Sequence, residues 1–186
     1  MTENIVDARR GRRQLLLIVA VFLTPFALAA LLAVSGWVPK ARSHGEPIVP
    51  QQNFGQLLVR IAGGGAWPWR ASTPKFTLVA LAGPDCSGSC LGKLDLLHRA
   101  QIGLTQSSEK LRLLYIGNVP GGSAAAAVMT AWTVGHTRAP QLLHYAPQKS
   151  DRVAVLMVAA DGTAIVHYPS SVSVADINKD LRRLFR

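Results

Sequence analysis

The chain contains two cysteines, and they stand four positions apart in the stretch GPDCSGSC, as Cys86 and Cys90. A thiolate is the nucleophile of disulfide exchange and a ligand for soft metals. The pair therefore admits three chemistries: a structural disulfide, a redox couple or a metal site. Ahead of it, Phe76 to Leu81 (FTLVAL) is a short apolar run closed by Gly83-Pro84, which predicts a buried strand. Behind it, Leu91, Leu94, Leu97, Ile102 and Leu104 recur at helical spacing. The cysteines thus fall at a strand-to-helix turn. Four-residue spacing at a helix start puts both sulfurs on one face, one turn apart, and the positive helix end favours the thiolate. A disulfide between residues so near in sequence closes a short loop and removes little chain entropy, so a staple here would stabilise little.

The elements that must carry this turn can be read from the rest of the chain. Leu111 to Ile116 (LRLLYI) predicts a second strand, and Ser123 to Val134 (SAAAAVMTAWTV) an alanine-rich helix. Val153 to Val158 and Thr163 to Tyr168 flank Asp161-Gly162, a step that predicts a hairpin. The last helix, residues 174–185, is amphipathic, with Val174, Ile177, Leu181 and Leu184 on one stripe. The order strand, helix, strand, helix, hairpin, helix predicts an α/β fold, a thioredoxin-like mixed sheet with flanking helices. Trp67 and Trp69 flank Pro68 in a glycine-rich stretch, where they read as loop anchors on the core rather than a ligand platform.

The front of the chain sets the compartment. Leu15 to Val34 has no charged residue, and Thr24 is its polar exception; about 20 apolar residues match a ~30 Å bilayer core. Arg9, Arg10, Arg12 and Arg13 precede it and predict a cytoplasmic N-terminus. A cleaved signal peptide is the alternative, but its apolar core is usually only about 7–15 residues. The expected organisation is a basic cytoplasmic segment over 1–13, a single transmembrane helix over 14–36, a proline-bearing tether over 37–53 and a domain over 54–186. In a bacterium this is a single-pass inner (plasma) membrane protein with a periplasmic domain, a compartment in which disulfides form.

A formal net charge of +10 raises the question of nucleic acid, but the basic residues are not interleaved with aromatics as a single-strand platform requires, so no nucleic-acid partner is expected. A solvated basic surface facing an acidic partner or anionic headgroups accounts for the charge. The sequence has no G-x-S-x-G elbow, P-loop or zinc-type histidine pair. Hydrolytic acid–base pairs are not expected, because only seven acidic residues follow Pro47.

FTLVALAGPDCSGSC, LRLLYIG and VAVLMVAADGTAIVHYPSSVSVADINKDLRRLF together resemble the Sco/SenC family of membrane-anchored, thioredoxin-like copper proteins that serve cytochrome c oxidase assembly. The CxxxC spacing is the most specific part. The resemblance implies that Cys86 and Cys90 are Cu(I) ligands and a reducible pair, that the protein is a metallochaperone rather than an enzyme, and that its partner is a cytochrome c oxidase subunit or another assembly factor. The family's third ligand is a histidine in the loop before the strand leading into the Asp-Gly hairpin. Here that position falls at or near Asp151, in SDRV. Substitutes are sought among five histidines. His98 lies about 12 Å from Cys90 along the helix, His44 is in the tether and His167 in a hairpin strand, which leaves His136 and His144. Pro140, the candidate for the cis-proline that such folds place opposite their cysteines, is expected to be trans. Two alternatives stand beside the copper reading: a general extracytoplasmic thiol-disulfide oxidoreductase, and an assembly factor that kept the fold without the chemistry.

Overall fold

The structure is a computed structural model that describes residues 17–28, 30, 31, 34 and 43–185. The chain divides into two compact units, at Arg42 and Ser43. In the first, residues 17–28 are helical, and Leu17, Val21, Phe22 and Phe26 are exposed. Among the described residues no helix is long and apolar enough to cross a membrane. The arginines at 9–13, both ends of the expected span and residues 37–42 of the expected tether lie outside the described residues.

The second unit is built on seven strands: β1 (Glu46–Pro47), β2 (Arg60–Ile61), β3 (Phe76–Ala82), β4 (Leu111–Ile116), β5 (Thr133–His136), β6 (Val153–Val158) and β7 (Ala164–Tyr168). They form one mixed sheet in the order β1-β7-β6-β3-β4-β5-β2. β3 pairs parallel with β4 and antiparallel with β6, and β5 runs parallel to β4. Four helices flank the sheet: α1 (Gly88–Ile102), α2 (Ser123–Met129), α3 (Pro140–Leu143) and α4 (Val174–Leu184). This is the expected thioredoxin-like α/β arrangement.

Strand periodicity divides the core in two. On β3, Leu78 and Ala80 point to one face and Val79 and Leu81 to the other. The first face packs against Leu94 and Leu97 of α1, Met129 of α2, and Ile177 and Leu181 of α4. The second is covered by Phe54, Trp67, Trp69 and Leu142. Trp69 donates from Nε1 to the Leu57 carbonyl at 2.9 Å, and the Arg112 guanidinium lies 4.6 Å from the Trp67 ring centre. Both tryptophans are therefore core anchors, as the sequence predicts.

The structure departs from the sequence expectation at two elements. The helix expected to run to Val134 ends at Met129, and Thr133–His136 forms β5, with Val134 opposite Tyr115 and Gly135 opposite Ile116. The helix runs through the alanines at 124–127 and stops two residues later. The β-branched Thr133 and Val134 suit a strand, and Gly135 leaves room where a Cβ would come within 2.7 Å of the Val59 side chain. Part of the stretch expected as tether also joins the sheet: Glu46 and Pro47 pair with His167 and Val166, and Ile48 is buried.

Candidate functional site

β3 delivers the chain to the site and α1 leads it away. Cys86 and Cys90 are joined by a disulfide with Cα atoms 5.2 Å apart. Their exposure differs: Cys86 is 8% and Cys90 1% exposed, while Ser87, Gly88 and Ser89 between them are open to solvent. Cys90 is the third residue of α1 and packs with Leu94 and Leu97 on the first core face. Both cysteines belong to the first core cluster, Cys86 the less buried of the two, and the exposed residues 87–89 lie between them.

A second loop, between α3 and β6, is laid against the cysteine loop backbone to backbone. Gly83 donates its N–H to the Arg152 carbonyl at 2.9 Å, and Asp151 donates its own to the Asp85 carbonyl at 2.6 Å. The Ser150 hydroxyl donates to the Asp85 carboxylate at 3.2 Å. A side chain at Gly83 would run into the Lys149 carbonyl, so this contact requires glycine. A third loop reaches in from β4: the Tyr115 hydroxyl donates to the Asn118 carbonyl at 2.6 Å, and the Asn118 amide donates to the Pro84 carbonyl at 3.3 Å. Burial pushes the Tyr115 phenol up to about 12, so it stays a neutral donor.

Asp151 is the residue that the sequence left without a role. Its carboxylate accepts from the backbone N–H groups of Ser87 at 2.9 Å, Ser89 at 2.8 Å and Cys90 at 3.0 Å. Ser87, the cap residue of α1 by position, makes no side-chain cap bond. The cap comes instead from a residue 61 positions from Cys90. Bonds from Cys90, Ser89 and Ser87 hold the Asp151 carboxyl down to about 2. Asp151 has φ +54, a left-handed conformation that aspartate tolerates better than most residues. On the far side of Cys90, Lys93 donates from Nζ to the carbonyls of Ser170 at 3.1 Å and Val172 at 2.9 Å. Burial, with Arg152 nearby, lowers its amine to about 8.

The structure brings Cys86 and Cys90 together but does not bring His136 or His144 to them. His136 ends β5, two strands from β3, opposite Arg60 of β2. His144 follows α3; its ring lies 5.4 Å from that of Tyr145, which lies 5.0 Å from that of His167. Tyr145 packs on the second core face, and the cysteines pack on the first. Among the described residues no group of three His, Cys, Asp or Glu side chains is placed to hold a metal. The donor set here does not supply a third copper ligand beside the two cysteines: at that position both Asp151 oxygens are taken by N–H groups. Pro140 opens α3, and Val49–Pro50 is the cis peptide bond found among the described residues.

Comparison with known proteins bears on the fold. The apo Sco1 protein of Thermus thermophilus superposes with a TM-score of 0.53 at 13% identity, over 79% of this chain and 99% of that one. A putative protein disulfide isomerase from Bacteroides thetaiotaomicron gives 0.49 at 11% identity, over 77% and 94% of the two chains. Copper-bound ScoI of Arabidopsis thaliana gives 0.49 at 10%, over 75% and 96%. The resemblance to Sco proteins drawn from the sequence is met in the fold of the Thermus thermophilus protein, and at 13% identity it speaks to the fold alone. No curated protein matches the sequence. Residues 7–36 match a family described as a transmembrane-like N-terminal domain. Residues 76–186, which hold the cysteines, Asp151 and all but two strands of the sheet, match the companion C-terminal domain, and the chain belongs to this transmembrane-like, thioredoxin-like family.

Proposed function

We propose that this protein is a membrane-anchored thiol–disulfide exchange protein, working through Cys86 and Cys90 to keep the cysteines of an exported or membrane-bound partner reduced. The observation that carries this reading is a disulfide at a strand-to-helix turn next to exposed loop residues, with Cys86 the less buried of its two cysteines. Exchange needs one sulfur that a partner can reach and a second, close behind, that resolves the mixed disulfide. Cys86 has the first role and Cys90 the second. The transmembrane-like match over 7–36, with Arg9 to Arg13 ahead of the apolar run, supports an anchor with a cytoplasmic N-terminus and a periplasmic domain. The sequence resemblance of the CxxxC stretch to the Sco/SenC family supports oxidase assembly as the setting, with a cytochrome c oxidase subunit or another assembly factor as the acceptor.

The test uses the full chain in detergent. The reduced wild-type protein is expected to reduce a model protein disulfide such as insulin. Cys90→Ser is expected to accumulate a mixed disulfide through Cys86, while Cys86→Ser forms none. Oxidase assembly that proceeds normally with both cysteines replaced would sink this reading and point to a factor that kept the fold without the chemistry. Copper delivery is the second reading, supported by two soft sulfur donors in the reduced pair. Tight one-to-one Cu(I) binding by the reduced protein, in competition with a chelator, would put copper delivery first.

A further inference from the structure

Cysteines at the first turn of a helix ordinarily gain from that position. Unpaired N–H groups and the positive end of the helix dipole stabilise negative charge on sulfur, which favours the open, reduced form of the pair. In this chain the position is already occupied. The Asp151 carboxylate accepts from Ser87, Ser89 and Cys90 within 3.0 Å and so brings a full negative charge to the donors that a sulfur anion would use. The carboxylate cannot easily swing away. Its backbone is tied to Asp85, the next residue's carbonyl to Gly83, and its left-handed φ of +54 is fixed by that double attachment.

We propose that Asp151 is a positioning residue that sets the direction of the redox couple: its charge at the start of α1 disfavours the opened sulfurs and so lowers the reduction potential of the Cys86–Cys90 disulfide. This rests on the exchange reading above and gives it a direction. A helix start that stabilises its reduced cysteines makes a strong oxidant. A helix start already holding a carboxylate makes the opposite, a disulfide that is hard to reduce and a dithiol that gives up electrons readily.

In the working direction the Cys86 thiolate attacks a partner disulfide, forming a Cys86–partner bond and expelling one partner sulfur, which takes a proton. Cys90 loses its proton and attacks Cys86; the mixed bond breaks, and the second partner sulfur leaves and is protonated in turn. Two electrons and two protons pass to the partner, and Cys86–Cys90 is re-formed. An upstream dithiol, supplied on the same side of the membrane, reverses these steps to recharge the pair.

The experiment is a redox titration of the full-length protein in detergent against thiol–disulfide buffers, at fixed pH and salt. Wild type is compared with Asp151→Asn, which keeps an acceptor oxygen and the side-chain size but removes the charge. Asp151→Ser, neutral and still carrying a hydroxyl oxygen, is a second version of the same test. The expected result is at least a tenfold shift of the equilibrium towards the dithiol in both variants, about 30 mV upward for a two-electron couple. Midpoints within twofold of wild type in these variants would make Asp151 a cap without redox influence and overturn the inference, leaving the exchange reading in place. A wild-type disulfide that no thiol buffer reduces would overturn the exchange reading itself.

Discussion

At the scale of single residues, Asp151 ties folding to acidity. In the unfolded chain its carboxyl titrates near 3.8; in the fold it is held down to about 2 by three backbone N–H groups. Because the folded value is the lower, the stabilisation is fully present above the unfolded value and is lost as pH falls through the folded one. Asp151→Asn removes that dependence. Urea unfolding midpoints measured between about pH 4 and pH 2 are therefore expected to fall less steeply in the variant than in wild type. Identical slopes would mean that the three bonds do not favour the charged form. Asp161, Asp176 and Asp180 are also lowered and leave the variant a residual slope. Cys86 and Cys90 could be read from the sequence because their chemistry lies in their type and spacing. Asp151 could be located, as the position where a histidine was sought, but its role was not legible. That role exists only when the loop before β6 meets the loop after β3, 61 residues apart.

At the scale of elements, the site depends on how closely two loops approach. Gly83→Ala would drive a methyl group into the Lys149 carbonyl, a backbone atom with little room to yield. The expected cost is about 1–3 kcal/mol, read from denaturant unfolding, with faster proteolysis of the 147–152 loop. α4 is held differently, by an apolar stripe. Ile177 and Leu181 are fully buried, and the Ser173 hydroxyl caps the helix by accepting from the Asp176 N–H at 3.2 Å. Leu181→Ala should cost about 2–5 kcal/mol while leaving the redox midpoint unchanged, since α4 does not touch the cysteine loop's hydrogen bonds. Elements with a strong apolar signal, continuous in β3, β4 and β6 and a helical stripe in α4, were legible. β5 was not, because four residues after an alanine run carry too little pattern to outweigh helix propensity; β4 supplies the edge that makes them a strand.

At the scale of the whole molecule, the sheet begins earlier than composition suggests. Residues 43–53 bring Ile48 into the core and β1 onto β7, and the Asp180 carboxylate accepts from the Ser43 hydroxyl at 2.9 Å and the His44 N–H at 2.7 Å. A fragment starting at Ser43 is expected to be more stable than one starting at Phe54, by up to about 1.5–3 kcal/mol from Ile48 burial. Equal melting temperatures would show that the early strand is ornamental. Three prolines and no periodicity over 37–53 made this stretch look like part of a linker; its contacts are with β7 and α4, more than a hundred residues away, and no local signal announces them. The same attachment decides how the domain responds to mechanical load. Tension arriving along the chain ahead of Ser43 is taken up at Asp180, on α4, and at a two-residue strand on the sheet's rim. β7 and β6 stand between that rim and β3. A pull applied at Ser43 therefore frays the outermost pairing first, and the sulfurs beyond the end of β3 keep their geometry while it does.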